Sequence, residues 1–215
     1  MSEPWEIPPI PKRGDRSERV THAAVGLAMS RWEGLEVSFA HLYSVFETRS
    51  RFDTDANRKY GIPLNFRERL AGLERSGGRF FAKHPNQDDE GRFSLVANDA
   101  RRFSERRNDI AHGIARPIHW VLEPGKSSIL SAPYPMQWCI VPPHFKGTKF
   151  TRRHLPTYVY TSREIKGFCE FFYEMGMAAN RLAHDLERRY APPTWLQTPR
   201  VLVSLLSKAL AQRGP

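Results

Sequence analysis

The 215-residue sequence predicts a mainly α protein, a helical bundle with a small antiparallel β insertion and an amphipathic C-terminal helix. Three observations carry that prediction. Apolar residues recur at steps of three and four through most of residues 15–113 and again through 161–190, the period of helices with one buried face. Between about 116 and 160 the period disappears, Pro and Gly become frequent, and short β-like runs take over. No internal repeat of fixed period occurs, so the helices read as a bundle and not a solenoid.

The chain opens on an arm. Pro4, Pro8, Pro9 and Pro11 are too many to sustain a helix over residues 1–14, which read as extended, with Trp5 and Ile7 pinning them to the body. A helical domain spans 15–190. Its first helix starts near Asp15 and carries the stripe Ala24, Ala28, Trp32, Leu35, Phe39, Leu42 and Phe46, a pattern that fades in the polar stretch 53–57. A second helix starts at Asn65, an N-cap type just after Pro63, with Phe66, Leu70, Leu73 and Phe80 as its stripe. Gly77-Gly78 either bends or ends it, or admits a close backbone approach. After a polar loop, a third helix runs from about Asp89 to Gly113, with Val96, Ala100, Phe103 and Ile110 on one face.

The insertion occupies about 116–160. Ile118, Trp120 and Leu122 alternate, Pro124-Gly125 signals a turn, and Ile129-Leu130, 138–141 and 158–160 are further β-like runs. Thr161 and Glu164 then have capping-box spacing, and Ile165, Phe168, Phe172, Met175, Ala179, Leu182 and Leu186 restore the helical stripe. Residues 191–215 read as a linker and a last helix. Thr198-Pro199 caps it, and Leu202, Leu205, Leu206, Ala209 and Leu210 form a face that more commonly covers a core than binds a partner.

Composition bounds the function. Lys and Arg number 33 against 23 Asp and Glu, a net charge of +10, and aromatics make up 12%. Such a balance favours a polyanionic partner, although a basic surface equally keeps a protein soluble. No run of about 18 apolar residues is present, so no helical membrane span is expected. The opening residues MSEPWEIPPIPKRG lack the apolar core of a secretory signal, and a cytoplasmic location follows. Cys139 and Cys169 are too few for a disulfide framework or a four-ligand zinc site. Both read as core residues.

The most distinctive string is Glu105-Arg106-Arg107-Asn108-Asp109-Ile110-Ala111-His112-Gly113. One further step along the stripe Val96, Ala100, Phe103 reaches Arg107, a guanidinium on an apolar face that needs a partner or a groove. His112 follows immediately before Gly113, where a helix naturally stops. On an ideal helix the step from 107 to 112 turns through about 500°, so the two side chains splay roughly 140° apart. They converge on one ligand only at a frayed helix end or across a two-fold interface. From the residues alone two readings stand. One is a ligand site; the other, more common, is a helix terminus with His112 against the dipole and Arg107 paired to a glutamate.

Arg107-Asn108-x-x-x-His112 resembles the R-x(4–6)-H motif of the HEPN superfamily, with the polar residue those proteins often place after the arginine. The RNDIAHG form is a closer match than the bare pattern, and the resemblance spans residues 20–113 and 161–190. It implies a bundle of four or more helices with the motif late in one of them. Many members are metal-independent ribonucleases; others are non-catalytic domains that bind nucleic acid or protein. For this chain the resemblance implies an endoribonuclease, acting as a toxin or defence effector, on RNA whose own 2′-hydroxyl is the nucleophile. The alternative it leaves open is a non-catalytic binding module. In the first case His112 is general acid/base, Arg107 clamps the phosphate and Asn108 orients either group. No cofactor or metal is implied. A homodimer joining two motifs at one cleft is, and it relieves the splay; a cognate inhibitor or partner protein is a further possibility. One departure stands out. HEPN toxins paired with nucleotidyltransferases carry a tyrosine two residues beyond the histidine, where this chain has Ile114, so their tyrosine-modification switch is not expected.

A second candidate is the basic run 146–154. Lys146, Lys149, Arg152 and Arg153 can follow a phosphate backbone while Phe145, Phe150 and Tyr158 stack bases, and a solvated loop is an equal reading. Other strings carry less. Gly125-Lys126-Ser127 lacks the upstream glycine of a P-loop, having Trp120 there. Arg181 and His184 read as a solvated helix edge, and His119, His144 and His154 lack ligand spacing.

Overall fold

Ser17, whose hydroxyl accepts from the Val20 amide, caps the first helix, α1 (Glu18–Thr48), slightly later than Asp15. The computed structural model describes residues 3–122, 136–144, 146–151 and 155–191. Every residue of the α1 stripe from Ala24 to Phe46 is buried. After it come α2 (Thr54–Gly61), α3 (Phe66–Lys83), α4 (Gln87–His112), strand β1 (Ile114–Pro117), the single turn α5 (His119–Leu122), strand β2 (Trp138–Val141) and α6 (Ser162–Tyr190). The fold is mainly α with one small antiparallel sheet. No described helix is long and apolar enough to cross a membrane.

Paired residues give the helix directions. Asp15, before α1, accepts from the Ser162 amide and hydroxyl at the start of α6 (2.8 and 2.6 Å). Beyond the end of α1, the Arg51 amide and guanidinium donate to Glu187 near the end of α6 (2.9 and 2.6 Å). The two longest helices therefore lie side by side and parallel. Between them Gly176 admits the α1 backbone at Leu35, and Trp32 meets Phe172 edge-on. Helix α3 follows the direction of α1, with Arg69 bonded to Glu36 and Arg79 to Glu47. Helix α4 runs the other way, since Arg92 near its start pairs with Asp185 while Phe103 further along meets Phe168.

Several sequence expectations need correcting. The fading stretch after α1 is helical. Asp53 accepts from the Ala56 amide at 2.8 Å and starts α2, which buries Ala56 and Tyr60. Two turns are too short to show a stripe, but these two residues have the i, i+4 spacing. Gly77-Gly78 does not end α3, which runs on to Lys83. Gly77 lets the rings of Phe46 and Phe93 approach, where a Cβ would collide with Phe93. Helix α4 starts at Gln87, capped by Asn86, slightly before Asp89. The alternation at Ile118, Trp120 and Leu122 is not a strand but the turn α5, for which the buried Ile118 and Val121 already have helical spacing. The first strand lies earlier, directly after α4.

The sheet pairs Ile114 with Val141 through to Pro117 with Trp138. The opposite edge of β2 is covered by isolated bridges to Asp15 and Tyr160. Thr161 forms the expected capping box with Glu164 at the head of α6. In the arm, Trp5 stands edge-on to Phe103 at 6.3 Å beneath the Arg102 guanidinium, while Ile7 is largely exposed. The expected Ile129-Leu130 run and the C-terminal helix lie outside the described residues.

Candidate active site

The motif string lies on the last turns of α4, and its residues divide between two faces. Phe103, Arg106, Asp109 and Ile110 are buried, whereas Asn108 and His112 are exposed and Arg107 is half-buried. The stripe Val96, Ala100, Phe103 therefore continues into Arg106, not Arg107: a step of three reaches 106, and a step of four from there reaches Ile110. Of two adjacent arginines, the first is the core residue and the second sits at the rim.

Arg107 is only loosely satisfied. One terminal nitrogen donates to the Asn108 side-chain oxygen at 3.1 Å. The other lies 3.8 Å from the exposed Glu33 carboxylate on α1, beyond hydrogen-bond distance. Its Nε is buried with no hydrogen-bond partner among the described residues. Asn108 thus accepts a hydrogen bond from the neighbouring guanidinium. His112 is the last residue of α4 and faces solvent. Gly113 turns the chain straight into β1 in an extended conformation (φ −75°), not the left-handed one common at helix ends. Packing explains the glycine, because a Cβ there would collide with Ile140 and with the Asp109 carbonyl. The sheet is thereby held against the end of the motif.

Asp109 organises what lies beneath. Its carboxylate pairs with Arg106 at 3.3 Å and Lys149 at 3.2 Å and accepts from the Tyr160 hydroxyl at 3.3 Å. Its backbone carbonyl accepts from the Tyr158 hydroxyl at 3.1 Å. Burial, seconded for Tyr158 by the Asp109 charge, pushes both phenols well above their ordinary range, so they remain donors. Arg106, Asp109, Tyr158 and Tyr160 were missed as a group by reading the sequence. The available signal was the 103–106–110 spacing, which marks a buried cation that needs a buried anion beside it.

The basic run is reached only in part. Lys149 ends a 3-10 turn (Gly147–Lys149) and spends its charge on Asp109, tethering the insertion to α4. Lys146 precedes that turn and stays partly exposed. Arg152 and Arg153, with Phe145 and His154, lie outside the described residues. Tyr158 is buried and is no stacking platform, whereas Phe150 lies parallel to His144 at 5.4 Å. Arg181 and His184 are exposed, and Cys139 and Cys169 are buried core residues as expected. Among the described residues no group of three or more His, Cys, Asp or Glu is placed to hold a metal ion.

No protein-family model, curated protein or solved structure matches this chain. The likeness to the HEPN motif rests on the RNDIAHG residues and their place at the end of a long bundle helix. Chemically, that helix end offers guanidinium donors without a tight acidic partner, an amide bonded to one of them and an imidazole in solvent. Such a set suits an anion next to a proton that must be moved.

Proposed function

We propose that this chain is a metal-independent endoribonuclease of the HEPN type. The observation that carries the reading is the under-satisfied Arg107 guanidinium, held at the rim of α4 with solvent-facing His112 at the end of the same helix. The RNA 2′-oxygen attacks the adjacent phosphorus as His112 takes its proton. Arg107 holds the non-bridging oxygens, whose charge grows as the fifth bond forms. The 5′-oxygen then leaves with a proton returned by an imidazolium, giving a 2′,3′-cyclic phosphate and a 5′-hydroxyl. Because one helix splays the two groups, the working site is formed by two copies, each bringing an Arg107/His112 pair to a shared cleft.

The test is cleavage of RNA in EDTA by the wild type, His112→Ala and Arg107→Ala. Each variant is expected to lose at least about 100-fold in rate. DNA, which lacks the 2′-hydroxyl, should stay intact. Mixing the two inactive variants should restore part of the activity if the motifs share one cleft. Equal residual cleavage in all three samples, or robust cutting of DNA, would overturn the mechanism. RNA binding without cleavage would instead favour a non-catalytic module.

A further inference from the structure

Between α4 and α6 an apolar face is left open. The groove there encloses about 650 Å³, with Leu95, Phe171 and Met177 in its wall and Asp99, Glu174 and Arg181 at its rim. Leu95 is 63% exposed and Met177 36%. Single apolar side chains on a surface are ordinary, but a concave row of them calls for something to cover it. The groove is bounded at both ends. At one, Arg92 on α4 pairs with Asp185 on α6 at 2.9 Å. At the other, Phe171 stacks on Phe103 at 5.0 Å, and Trp5 of the arm closes over Phe103. From Arg92 to Phe103 helix α4 rises about 17 Å.

The sequence holds a segment of matching size and character. Residues 192–215 lie outside the described residues; they carry Arg200, Lys208 and Arg213 and no acid. Leu202, Leu205, Leu206, Ala209 and Leu210 have helical spacing, and a helix over 200–210 measures about 17 Å, the length of the groove. Reach is sufficient. The seven residues 192–198 span up to about 23 Å when extended, whereas the path from Tyr190 back to Arg181, where the groove begins, is about 14 Å along α6. A tether of that length gives the segment a millimolar local concentration, which a separate partner rarely matches. Charge agrees as well. Glu174 is exposed and forms no ion pair among the described residues, so a cationic segment gives it one.

We propose that residues 200–210 of the same chain seat in this groove as an amphipathic helix, antiparallel to α6, with the leucine face on Leu95, Phe171 and Met177. This is the helix-in-groove mode, and the unbranched Met177 adapts to the knobs it receives. The cavity nearer the end of α6 is walled by Arg49, Arg79 and Lys83 and repels a segment that is itself basic. The proposal does not depend on the ribonuclease reading, because Arg107 and His112 lie beyond the end that Phe103 closes.

Amide hydrogen exchange of the full chain, resolved by peptide, tests the seat. Amides of 202–210 are expected to exchange at least about tenfold more slowly than in a free peptide, at a rate independent of protein concentration. The double variant Leu95→Asp/Met177→Asp, in the groove, and Leu206→Asp, in the segment, should each return them to the free-peptide rate. Both groove residues are exposed, and unchanged exchange of α1 and α6 in the same samples separates lost docking from lost folding. Leu64→Asp, at an apolar residue outside the groove, should leave the protection intact. Peroxide should oxidise Met177 at least about fivefold faster in Leu206→Asp than in the wild type, since the same contact covers both surfaces. Free-peptide exchange of 202–210 in the wild type would overturn the proposal. So would protection that survives the groove variant, or equal oxidation of Met177 with and without Leu206. Protection that grows with protein concentration would put a second copy's segment in the groove and overturn the seat within one chain.

Discussion

Removing the Asp109 carboxylate would leave Arg106, with a side chain only 6% exposed, without its buried partner, paired only with the exposed Glu105 carboxylate at 3.1 Å. Breaking such a pair typically costs about 3–5 kcal/mol. Denaturant unfolding of Asp109→Ala should show a loss of that order, whereas Lys149→Ala, whose side chain is 41% exposed, should lose under about 1 kcal/mol. Similar losses for both would contradict a network centred on Arg106. Cys139 gives an independent check. Burial first, then the Asp15 charge, pushes its thiol up to about 12, so almost no thiolate forms at pH 8. A thiol reagent should modify it only after unfolding; rapid native labelling would show that the β2 packing is open. At this scale the sequence was half legible. Arg107, Asn108 and His112 could be named from spacing, but which of two neighbouring arginines turned inward depended on a phase of one residue. The two tyrosines that bond Asp109 beneath it, Tyr158 and Tyr160, arrive from some fifty residues away.

Among the elements, α1 and α6 were readable because a stripe repeated over many turns survives local noise, and caps such as Asn65 and Thr161–Glu164 mark boundaries directly. The short elements α2 and α5 were not, since one or two turns carry too few residues to establish a period. The junction of α1 and α6 has a pH signature. Burial tends to raise the Glu187 carboxyl, but the Arg51 amide, guanidinium and charge outweigh it and hold the group below its ordinary range. A carboxylate depressed on folding adds stability above its unfolded pKa, near ~4.3, and that stability is lost as pH falls through the lower folded value. Arg51→Ala should therefore cost about 1.5–3 kcal/mol at pH 7. The gap from wild type should close as the pH drops below about 4. A gap independent of pH would assign the effect to packing of the arginine stem.

For the molecule as a whole, the mainly α class was evident from periodicity, while the directions of the helices were not. Those depend on pairs such as Asp15 with Ser162 and Arg51 with Glu187, which no local pattern announces. The same pairs bear on the order in which a ribosome delivers the chain. Helix α1 is made first, but the partner that covers much of its apolar stripe is α6, whose synthesis begins only after 113 further residues. Until then Trp32, Leu35 and Phe39 have only part of their final cover, and a nascent chain stalled before residue 160 carries that surface into the crowded cell. Such a fragment should remain protease-sensitive and bind a hydrophobic dye. It should become resistant when a separate peptide covering 161–191 is supplied, and resistance without that peptide would show that the first four helices fold unaided. Assembly here is gated by the order of synthesis: the last of the described helices to leave the ribosome closes a surface opened by the first.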